Sequence, residues 1–577
     1  MIKFQWKIKS VNHQEVDNVR TEFHLPETIA KVMVNRGLTN REIVREFFNP
    51  EIEKLHSPFL LKDMDIAVEL ILEKIKQNKS ILVFGDYDVD GTTGTTVLFL
   101  FLKSIGADVQ YYIPSREKEG YGLSVQGIDY SKLMGASLII TVDCGINAYE
   151  KVNYANSQNI DIIITDHHKA DEKLPNAKAV INPNRLDCTY PFKGMCGASV
   201  AFKLGIALCE KGGYDSDLIW KHSDLVALGI AADIVPVNDE NRAIVKHGLL
   251  QVQRGSNEGL KALMKTAGLW DKDATVGRLV FWLAPKINAA GRLGDAGRAV
   301  KLMTTDNPVF AHEMATELEK ENIKRQSITE NIIKEAIYQV NSECDLENEN
   351  AIILWNEKWH HGVVGIVASR IKELYYRPTI IISMEKGESG SGSCRSISSF
   401  DIHSALGKCE EYLIGYGGHP IAAGLSIEKT NLIKFREKFL AVAKDTIDAK
   451  DLNPIINIDV DLKISDINSR FINFLKSMAP YGPKNMRPKF VSTAVKVLGY
   501  PKLIGKNSDV LKFKVVGNQS SFDAIAFGMA EHYEKLILNE TIDIVYEIGE
   551  NIWNGQSSIQ LEIKDIKLTR DNEFTNS

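Results

Sequence analysis

Short apolar runs separated by helix-length segments dominate the chain between residues 80 and 166. The runs are SILVFGD (80–86), DVQYYIP (108–114), SLIITVD (137–143) and IDIIITD (160–166). Continuous apolar runs of this length are typical of parallel strands that are buried on both faces. The pattern therefore predicts β-α-β units and an α/β fold with a parallel sheet. Three of the four runs end in aspartate, and reactive groups collect beyond the carboxyl ends of the strands in such sheets.

The other segments predict four further regions. Residues before 76 have helical spacing, a highly charged helical pattern runs from 306 to 342, and short alternating runs that fit a small antiparallel barrel follow Asn457. We therefore expect an N-terminal helical segment packing on the first α/β domain (1–75), that α/β domain (76–250), a connector of long helices (251–345), a second α/β domain (346–452) and a C-terminal β-barrel (455–570). The polar tail (571–577) is expected to be disordered.

Composition excludes several classes of protein. The chain has 577 residues, of which 44% are hydrophobic and 25% charged, as in ordinary globular proteins. We find no run of about 18 apolar residues that would span a membrane, and MIKFQWKIKS lacks the apolar core of a secretory signal. Seven cysteines without a C-x-x-C pair indicate neither a disulfide framework nor a cysteine zinc site. We expect a cytoplasmic protein.

The charge is unevenly distributed. The net charge is −6, yet residues 471–514 carry nine lysines and arginines against the single acid Asp509. This stretch has a net charge of +8, so the rest of the chain is at −14. Such a patch often marks an anionic partner, and the alternative is a solvated basic face.

The first candidate metal motif is GDYDVDG (85–91), between a predicted strand and a predicted helix. It contains Asp86, Asp88 and Asp90, and unpaired carboxylates this close repel one another. A bound cation relieves the repulsion, and hard divalent ions prefer oxygen ligands. The alternative is a helix N-cap, which needs one aspartate and not three. The motif therefore predicts a metal site.

Two further strand ends carry possible ligands. Asp143 ends one apolar run, and His167 and His168 follow Asp166 at the end of another. Taken alone, the acid is a weak signal and adjacent loop histidines can be structural. Next to other acidic strand ends, a metal-ligand role is favoured for the histidines.

Asp233 lies in the apolar helical stretch GIAADIVPV (229–237). A carboxylate there should be paired or bound to a metal, and the alternative is an N-cap before Val235. Together, the acids and histidines could hold two divalent ions, as in sites that hydrolyse phosphoesters. Oxygen-rich ligation favours Mn²⁺ or Mg²⁺ over zinc.

These and other long motifs, in this order, resemble the DHH phosphoesterase superfamily, and within it the single-strand-specific 5′→3′ DNA exonucleases. The resemblance covers nearly the whole chain. Its motifs are GDYDVDG (85–91), DCG (143–145), DHH (166–168), ALGIAADIVPV (227–237), APKINAAGRLGDAGRA (284–299), WHHGVVGIVASR (359–370), GYGGHPIAAG (415–424) and APYGPKNMRPKF (479–490).

The resemblance implies a set of metal ligands, which are Asp88, Asp90, Asp143, His167 and Asp233. It implies that His168 supports them, as ligating sites require. Other members have a histidine where this chain has Phe84. Asp86 is therefore expected among the ligands or beside them.

A second α/β domain should bind the substrate. We interpret SGSGSCRS (389–396) as a flexible loop whose hydroxyl, N–H and guanidinium groups suit a phosphate, the alternative being a plain linker. The resemblance implies that Ser393, Arg395 and Arg292 bind a 5′-terminal phosphate. It further implies substrate-side roles for Arg116, Lys286, His360, His403 and His419. Without the resemblance, the alternative for His403 and His419 is a structural role.

The C-terminal region resembles an OB fold, which binds single strands with a basic groove and stacked aromatic side chains. Its aromatic residues could equally belong to the core; they are Phe474, Tyr481, Phe490, Tyr500 and Phe513.

The resemblance implies an exonuclease of DNA repair and recombination that releases 5′-mononucleotides and uses two Mn²⁺ or Mg²⁺ ions. Its expected partners are single-stranded DNA, a helicase and a single-strand-binding protein, with no membrane. One rival is a DHH enzyme acting on short oligonucleotides or cyclic dinucleotides, which would need no extended barrel. Another is a non-enzymatic single-strand binder, against which the intact acid and histidine set argues.

Overall fold

The computed structural model describes residues 3–116, 118–385, 387–505, 507–517, 520–537, 541–553 and 556–569, and the polar tail (571–577) lies outside them. In chain order its helices are α1 (His13–Phe23), α2 (Glu27–Val34), α3 (Arg41–Phe48), α4 (Met64–Lys76), α5 (Val89–Ser104), α6 (Val125–Leu133), α7 (Tyr149–Ser157), α8 (Gly197–Gly212), α9 (Asp217–Trp220), α10 (Ser223–Ala232), α11 (Asp239–Arg254), α12 (Glu258–Thr266), α13 (Val276–Arg278), α14 (Ala284–Leu293), α15 (Gly297–Met303), α16 (Pro308–Glu343), α17 (Val364–Tyr375), α18 (Ile402–Gly407), α19 (Leu432–Thr446), α20 (Ser469–Ser477) and α21 (Tyr533–Ile537).

The strands, also in chain order, are β1 (Gln5–Ile8), β2 (Ser80–Gly85), β3 (Val109–Tyr112), β4 (Ala136–Val142), β5 (Asp161–Thr165), β6 (Ala179–Ile181), β7 (Ile352–Asn356), β8 (Thr379–Ser383), β9 (Ser389–Arg395), β10 (Leu413–His419), β11 (Ala422–Glu428), β12 (Ile455–Ile458), β13 (Val460–Asp461), β14 (Phe490–Ile504), β15 (Val510–Gly517), β16 (Ser520–Phe527), β17 (Ile542–Trp553) and β18 (Gln556–Leu568).

The chain forms two compact units. The parallel-sheet unit comprises residues 40–323 and 475–486, and the barrel unit comprises the remaining described residues. Among the helices that the structure describes, none is both long and apolar enough to cross a bilayer.

A five-stranded parallel sheet forms the centre of the parallel-sheet unit. Its order is β3-β2-β4-β5-β6, which confirms the predicted α/β fold. Alternate residues of β2 pack into two different cores. Ile81 and Val83 lie in a core that includes residues of α5 and α8, while Leu82 and Phe84 lie in another that includes residues of α6 and α7. Burial on both faces explains why the sequence shows continuous apolar runs.

A short C-terminal segment, residues 475–486, also belongs to the parallel-sheet unit. The guanidinium group of Arg242 on α11 donates hydrogen bonds to the carbonyl oxygens of Met478, Ala479 and Pro480 at 3.1, 2.9 and 3.0 Å. Three such bonds from one cation hold the segment against α11.

The barrel unit contains a mixed sheet of order β10-β11-β9-β8-β7, in which β7 and β8 are parallel. The sheet confirms a second α/β region, and the predicted long helical pattern is the single helix α16. The expected flexible loop at 389–396 was wrong, because most of it is strand β9, paired on both sides. Its glycines permit close packing, since a Cβ on Gly392 would lie 2.9 Å from the Leu425 side chain.

The C-terminal strands form the predicted barrel. The pairings β14-β15-β16-β18-β17 close through β17 and β14 into five strands, and β13 adds to β14. Phe490 and Phe513 are buried core residues, whereas Tyr500 is 82% exposed. The aromatic residues of the basic stretch therefore divide between core and surface.

The N-terminus differs from the expected helical segment packing on the first α/β domain. Residues 3–39 belong to the barrel unit, because β1 pairs in parallel with β12. The indole nitrogen of Trp6 also donates a 2.7 Å hydrogen bond to Asp565 on β18.

Candidate metal centre and phosphate site

Three strand ends meet at one edge of the parallel sheet. Gly85, Val142 and Thr165 are in register across β2, β4 and β5. The residue that follows each of them is an aspartate, so Asp86, Asp143 and Asp166 leave the sheet side by side.

The loop after β2 directs two more carboxylates to the same edge. Asp88 is the N-cap of α5 and accepts a 3.0 Å hydrogen bond from the Gly91 amide. Both oxygens of Asp90 accept backbone amides from the start of α8, those of Gly197 at 2.6 Å and Ala198 at 2.9 Å. Asp90 is therefore fixed by the positive end of a second helix.

The structure brings together all seven residues predicted to be catalytic. Each of three sets has its candidate ligand atoms within 4.8 Å of one another, and the sets are Asp86/Asp88/Asp143, Asp90/His167/Asp233 and Asp143/His167/His168. Nε2 of His167 is central, at 3.0 Å from Asp143 Oδ1, 3.6 Å from Asp233 Oδ2 and 3.8 Å from Asp90 Oδ2. Glycine is required beside this cluster, because a Cβ on Gly197 would lie 2.4 Å from the Asp143 Cβ.

The cluster fits divalent cations. Within the described part of the chain, Asp86 Oδ1, Asp143 Oδ1 and His167 Nε2 are buried and make no hydrogen bond. Buried polar atoms without a partner are costly, and cations bound within these ligand sets would satisfy them.

The shifted pKa values of these carboxyl groups also indicate a cation site. Burial and the neighbouring acids raise the pKa of Asp86 to about 7, that of Asp233 to about 8, and that of Asp143 well above its ordinary value. Burial lowers the pKa of His167, which favours the neutral imidazole that metals bind. An oxygen-rich set with one or two imidazoles suits Mn²⁺ or Mg²⁺.

Asp166, to which the sequence assigned no role, holds the two histidines of the cluster. Its Oδ1 accepts the amides of His167 and His168 at 2.7 and 3.0 Å and lies 2.8 Å from His168 Nδ1, while its Oδ2 accepts the Ile146 amide at 2.9 Å. Burial opposes the charge on His168, but Asp166 raises the pKa of that imidazole to about 9. The motif contained Asp166, but strand-end position alone does not distinguish a ligand from a residue that holds ligands.

A second polar site lies in the barrel unit. Ser393 and Arg395 are two residues apart on β9 and share one face of the mixed sheet, and Arg395, Ala422 and His419 are in register across β9, β11 and β10. A Cβ on Gly365, in the first turn of α17, would lie 3.1 Å from Ser393 Oγ and 3.3 Å from a terminal nitrogen of Arg395. A hydroxyl, a guanidinium and a helix N-terminus therefore converge, as anion sites require.

The predicted histidines of this unit occupy different places. His360 precedes α17, and its Nδ1 accepts the Gly362 amide at 3.0 Å. His403 lies against Tyr416, with 5.5 Å between ring centroids. Tyr416 is in register with Gly392, so it points to the opposite face of the sheet from Arg395.

Two of the three predicted substrate residues of the parallel-sheet unit, Arg116 and Arg292, act on Tyr87. The Arg116 guanidinium lies 5.4 Å from the centre of the Tyr87 ring. Burial raises the pKa of Tyr87, and the charges of Arg116 and Arg292 oppose that rise. Lys286 differs from our expectation, because it is buried and forms an ion pair with Glu319 on α16. That pairing leaves its charge already compensated.

Comparison with known protein families assigns three stretches of the chain to domains. Residues 80–230 match the DHH family, N-terminal domain, residues 348–447 the DHHA1 domain, and residues 458–565 the RecJ OB domain. The chain is 35% identical over 568 residues to the single-stranded-DNA-specific exonuclease RecJ of Bacillus subtilis (strain 168), covering 98% of this chain and 71% of that protein.

Solved structures agree with this comparison. RecJ from Thermus thermophilus in complex with Mn²⁺ has a TM-score of 0.82 and 29% identity over 98% of this chain and 79% of that one. The complex with Mg²⁺ has a TM-score of 0.78 and 28% identity over 98% and 78%. The parallel sheet and its acidic, histidine-containing edge define a metal-dependent phosphoesterase of the DHH class. Within that class, the chain belongs to the RecJ family.

Proposed function

We propose that the protein is a single-strand-specific DNA exonuclease that degrades from the 5′ end and releases 5′-mononucleotides by metal-dependent hydrolysis. The observation that carries this proposal is the convergence of seven side chains on one sheet edge, with three buried polar atoms that lack a partner among the described residues. The relatives named single-stranded-DNA-specific exonuclease support the choice of substrate.

The proposed ligands of the two Mn²⁺ or Mg²⁺ ions are Asp88, Asp90, Asp143, His167 and Asp233, with Asp86 among or beside them. When bound, the ions would activate water and steady the charge on the leaving oxygen. The chain itself supplies rigid ligands. Asp90 is held by the amides of α8, and Asp166 fixes both the backbone and the ring of His168.

The proposed 5′-phosphate site is the cradle of Ser393, Arg395 and the first turn of α17. A terminal phosphate monoester carries more charge than an internal diester, so a guanidinium beside a hydroxyl and helix amides would prefer it. Capture of that terminus would define the polarity of degradation. Arg116, Arg292, His360 and His419 are proposed to contact the strand, and the structure gives less support to Lys286 and His403.

The proposed domains are residues 76–250 for catalysis, 346–452 for substrate binding and 455–570 for single-strand binding, with 251–345 as a helical connector. The matched stretches 80–230, 348–447 and 458–565 lie inside the first three. We further propose a role in DNA repair and recombination in the cytoplasm, with a helicase to unwind duplexes and a single-strand-binding protein as partners.

Hydrolysis of dinucleotides or cyclic dinucleotides is a weaker candidate. Such substrates need neither a barrel nor a basic stretch of net charge +8. The test uses a single-stranded 20-mer labelled at its 5′ or its 3′ end, the matching duplex, and a dinucleotide, each with Mn²⁺ or EDTA.

We expect the 5′ label to appear in mononucleotide from the first time point, while the 3′-labelled strand shortens gradually. Duplex and EDTA reactions should be inactive. Faster turnover of the dinucleotide than of the 20-mer, or release of 3′-labelled mononucleotide first, would contradict the proposal.

A further inference from the structure

Two asparagines follow β6, at the edge of the parallel sheet that carries the metal centre. Ile181 ends β6 and is in register with Thr165 of β5, so Asn182 leaves the sheet beside Asp166. Asn182 is therefore the counterpart on β6 of the aspartates that follow β2, β4 and β5. The sequence places an amide at this strand end instead of a fourth carboxylate, and a second amide, Asn184, follows two residues later.

The side-chain amides of both asparagines hold the backbone of the two adjacent histidines. Nδ2 of Asn182 donates a 2.9 Å hydrogen bond to the carbonyl oxygen of His168, and Nδ2 of Asn184 donates a 2.5 Å bond to that of His167. Asp166 accepts the backbone amides of the same two histidines. Side chains therefore hold both the N–H groups and the carbonyl groups of His167 and His168.

The two asparagines belong to a turn that is itself held in place. Asn182 is fully buried, and its Oδ1 accepts a 2.7 Å hydrogen bond from the backbone amide of Asn184. Nζ of Lys193 donates to the carbonyl oxygens of Pro183 and Cys188 at 2.5 and 2.8 Å. Because the turn is closed by these bonds, both amides have a fixed direction.

The histidines need such support because their segment has no regular secondary structure. Their backbone groups must therefore find partners outside a helix or a sheet ladder. A carbonyl oxygen only accepts, so its partner must be a donor, and the asparagine amide supplies one without adding charge. His167 belongs to two of the candidate ligand sets, and groups that orient a ligand affect how well it binds the metal.

We propose that Asn182 and Asn184 are positioning residues of the metal centre, which keep the His167 ring directed at the cation by holding the backbone of both histidines. The inference deepens the proposed function and rests on it. The asparagines act through the histidines and not on the substrate strand. Asn184 holds His167, a proposed ligand, whereas Asn182 holds His168, which supports the ligands.

The test compares the wild type with Asn184→Leu and with the Asn182→Leu/Asn184→Leu double variant. Leucine keeps the branched shape of asparagine but has no donor and no charge. Asn156→Leu is the matched control, because the Asn156 amide also donates to a carbonyl oxygen, that of Asn176, at 2.8 Å. Asn156 lies in the last turn of α7, just before β5 begins, and so at the opposite edge of the sheet.

Mn²⁺ affinity is measured by isothermal titration calorimetry in the absence of DNA. Nitrogen modulation in the electron spin echo of bound Mn²⁺ reports an imidazole ligand directly. Cleavage of a single-stranded 12-mer is measured over a range of Mn²⁺ concentrations. Affinity for the 12-mer and thermal unfolding are both measured in EDTA.

We expect Asn184→Leu to bind Mn²⁺ about 10-fold more weakly and the double variant roughly 10- to 100-fold more weakly, since outer partners of metal ligands have effects of this size. The nitrogen modulation should weaken. Cleavage should fall at limiting Mn²⁺ and recover with excess Mn²⁺, while affinity for the 12-mer in EDTA stays within twofold of the wild type. Asn184→Gln, which keeps an amide donor, should recover part of the lost Mn²⁺ affinity.

Mn²⁺ affinity of the double variant within twofold of the wild type would overturn the proposal, even if its unfolding temperature fell, because the asparagines would then serve the fold alone. An equal loss in Asn156→Leu would also overturn it. Should the double variant not fold, Asn184→Leu, a change at a half-buried position, decides by the same criterion. A wild type that binds Mn²⁺ but does not cleave single strands would instead refute the proposed function.

Discussion

His167 Nε2 lies 3.0 Å from Asp143 Oδ1, and both atoms are buried without a hydrogen-bond partner among the residues described. The two side chains come from the ends of neighbouring strands, β5 and β4. Asp143 has a φ of +62°, a left-handed conformation that is uncommon for a residue other than glycine. Strain and unsatisfied atoms at one point indicate a site built for a ligand rather than for stability.

Asp166→Asn should lower activity about 10- to 100-fold, because residues that orient metal ligands typically have effects of this size. Asparagine keeps one oxygen that can accept the His167 and His168 amides, but it places an NH2 group where Oδ2 accepts the Ile146 amide, and it loses the charge that holds His168. Titration of activity against Mn²⁺ should show a higher metal requirement. Asp171→Asn, an exposed change five residues further on, is the control. Wild-type metal dependence in Asp166→Asn would show that Asp166 has no such role.

Arg395→Ala should reduce cleavage of strands with a 5′-phosphate much more than cleavage of strands with a 5′-hydroxyl. The guanidinium offers paired donors, so Arg395→Lys should recover only part of the lost preference. Arg370→Ala, an exposed arginine on α17, is the matched control. Competition between the two kinds of strand measures the preference directly. An equal loss on both kinds of 5′ end would make Arg395 a general backbone contact.

Neutralising Lys496, Lys502 and Lys514 to glutamine should weaken single-strand binding and make it less sensitive to salt. Each phosphate contact contributes about 0.7 to the slope of log affinity against log salt, so three contacts contribute about 2. The same change at Lys434, Lys438 and Lys444, exposed around α19, is the control. Two of the three tested lysines, Lys496 and Lys502, lie on β14. An unchanged salt slope would mean that this basic stretch is a solvated surface.

Asp224, at the start of α10, should make stability depend on pH. It is buried, its Oδ2 has no hydrogen-bond partner in the described part of the chain, and burial raises its pKa from 3.8 to about 7. Between these values the folded protein binds a proton that the unfolded chain has released. The contribution of Asp224 to stability is therefore largest below pH 4 and falls as pH rises to about 7, by at most roughly 4 kcal/mol.

Asp224→Asn removes this dependence. Thermal unfolding in EDTA should show the variant gaining in midpoint relative to the wild type between pH 5 and pH 8. Asp65→Asn, an exposed change in the first turn of α4, should show no such gain. A difference between Asp224→Asn and the wild type that does not vary with pH would contradict the assignment.

Much of the parallel-sheet unit could be predicted because its signals are local. Each strand is a continuous apolar run, and each acid follows its run directly, so the order of a parallel sheet brings the acids together. Once β2, β4 and β5 are predicted to be neighbouring strands, Asp86, Asp143 and His167 are predicted to lie close together.

Other features depend on packing that no local pattern shows. The glycines of β9 indicated a loop, but Gly390 and Gly392 are present because Met384 and Leu425 fill the space where a Cβ would lie. Strand β1 was missed because its partner, β12, lies some 450 residues away in the sequence. Lys286 on α14 can be buried because it pairs with Glu319, which lies on another helix, α16.

The most direct test of the metal centre is cleavage of a 5′-labelled single-stranded 20-mer by the wild type and Asp143→Ala, in Mn²⁺ and in EDTA, with Asp271→Ala as the exposed control. Asp143 belongs to two of the three candidate ligand sets, so its loss should abolish turnover, while single-strand affinity remains near that of the wild type. The control should cleave normally in Mn²⁺. Turnover by Asp143→Ala above about a tenth of the wild-type rate, a loss of only ~1.4 kcal/mol of transition-state stabilisation, would contradict the proposed metal centre.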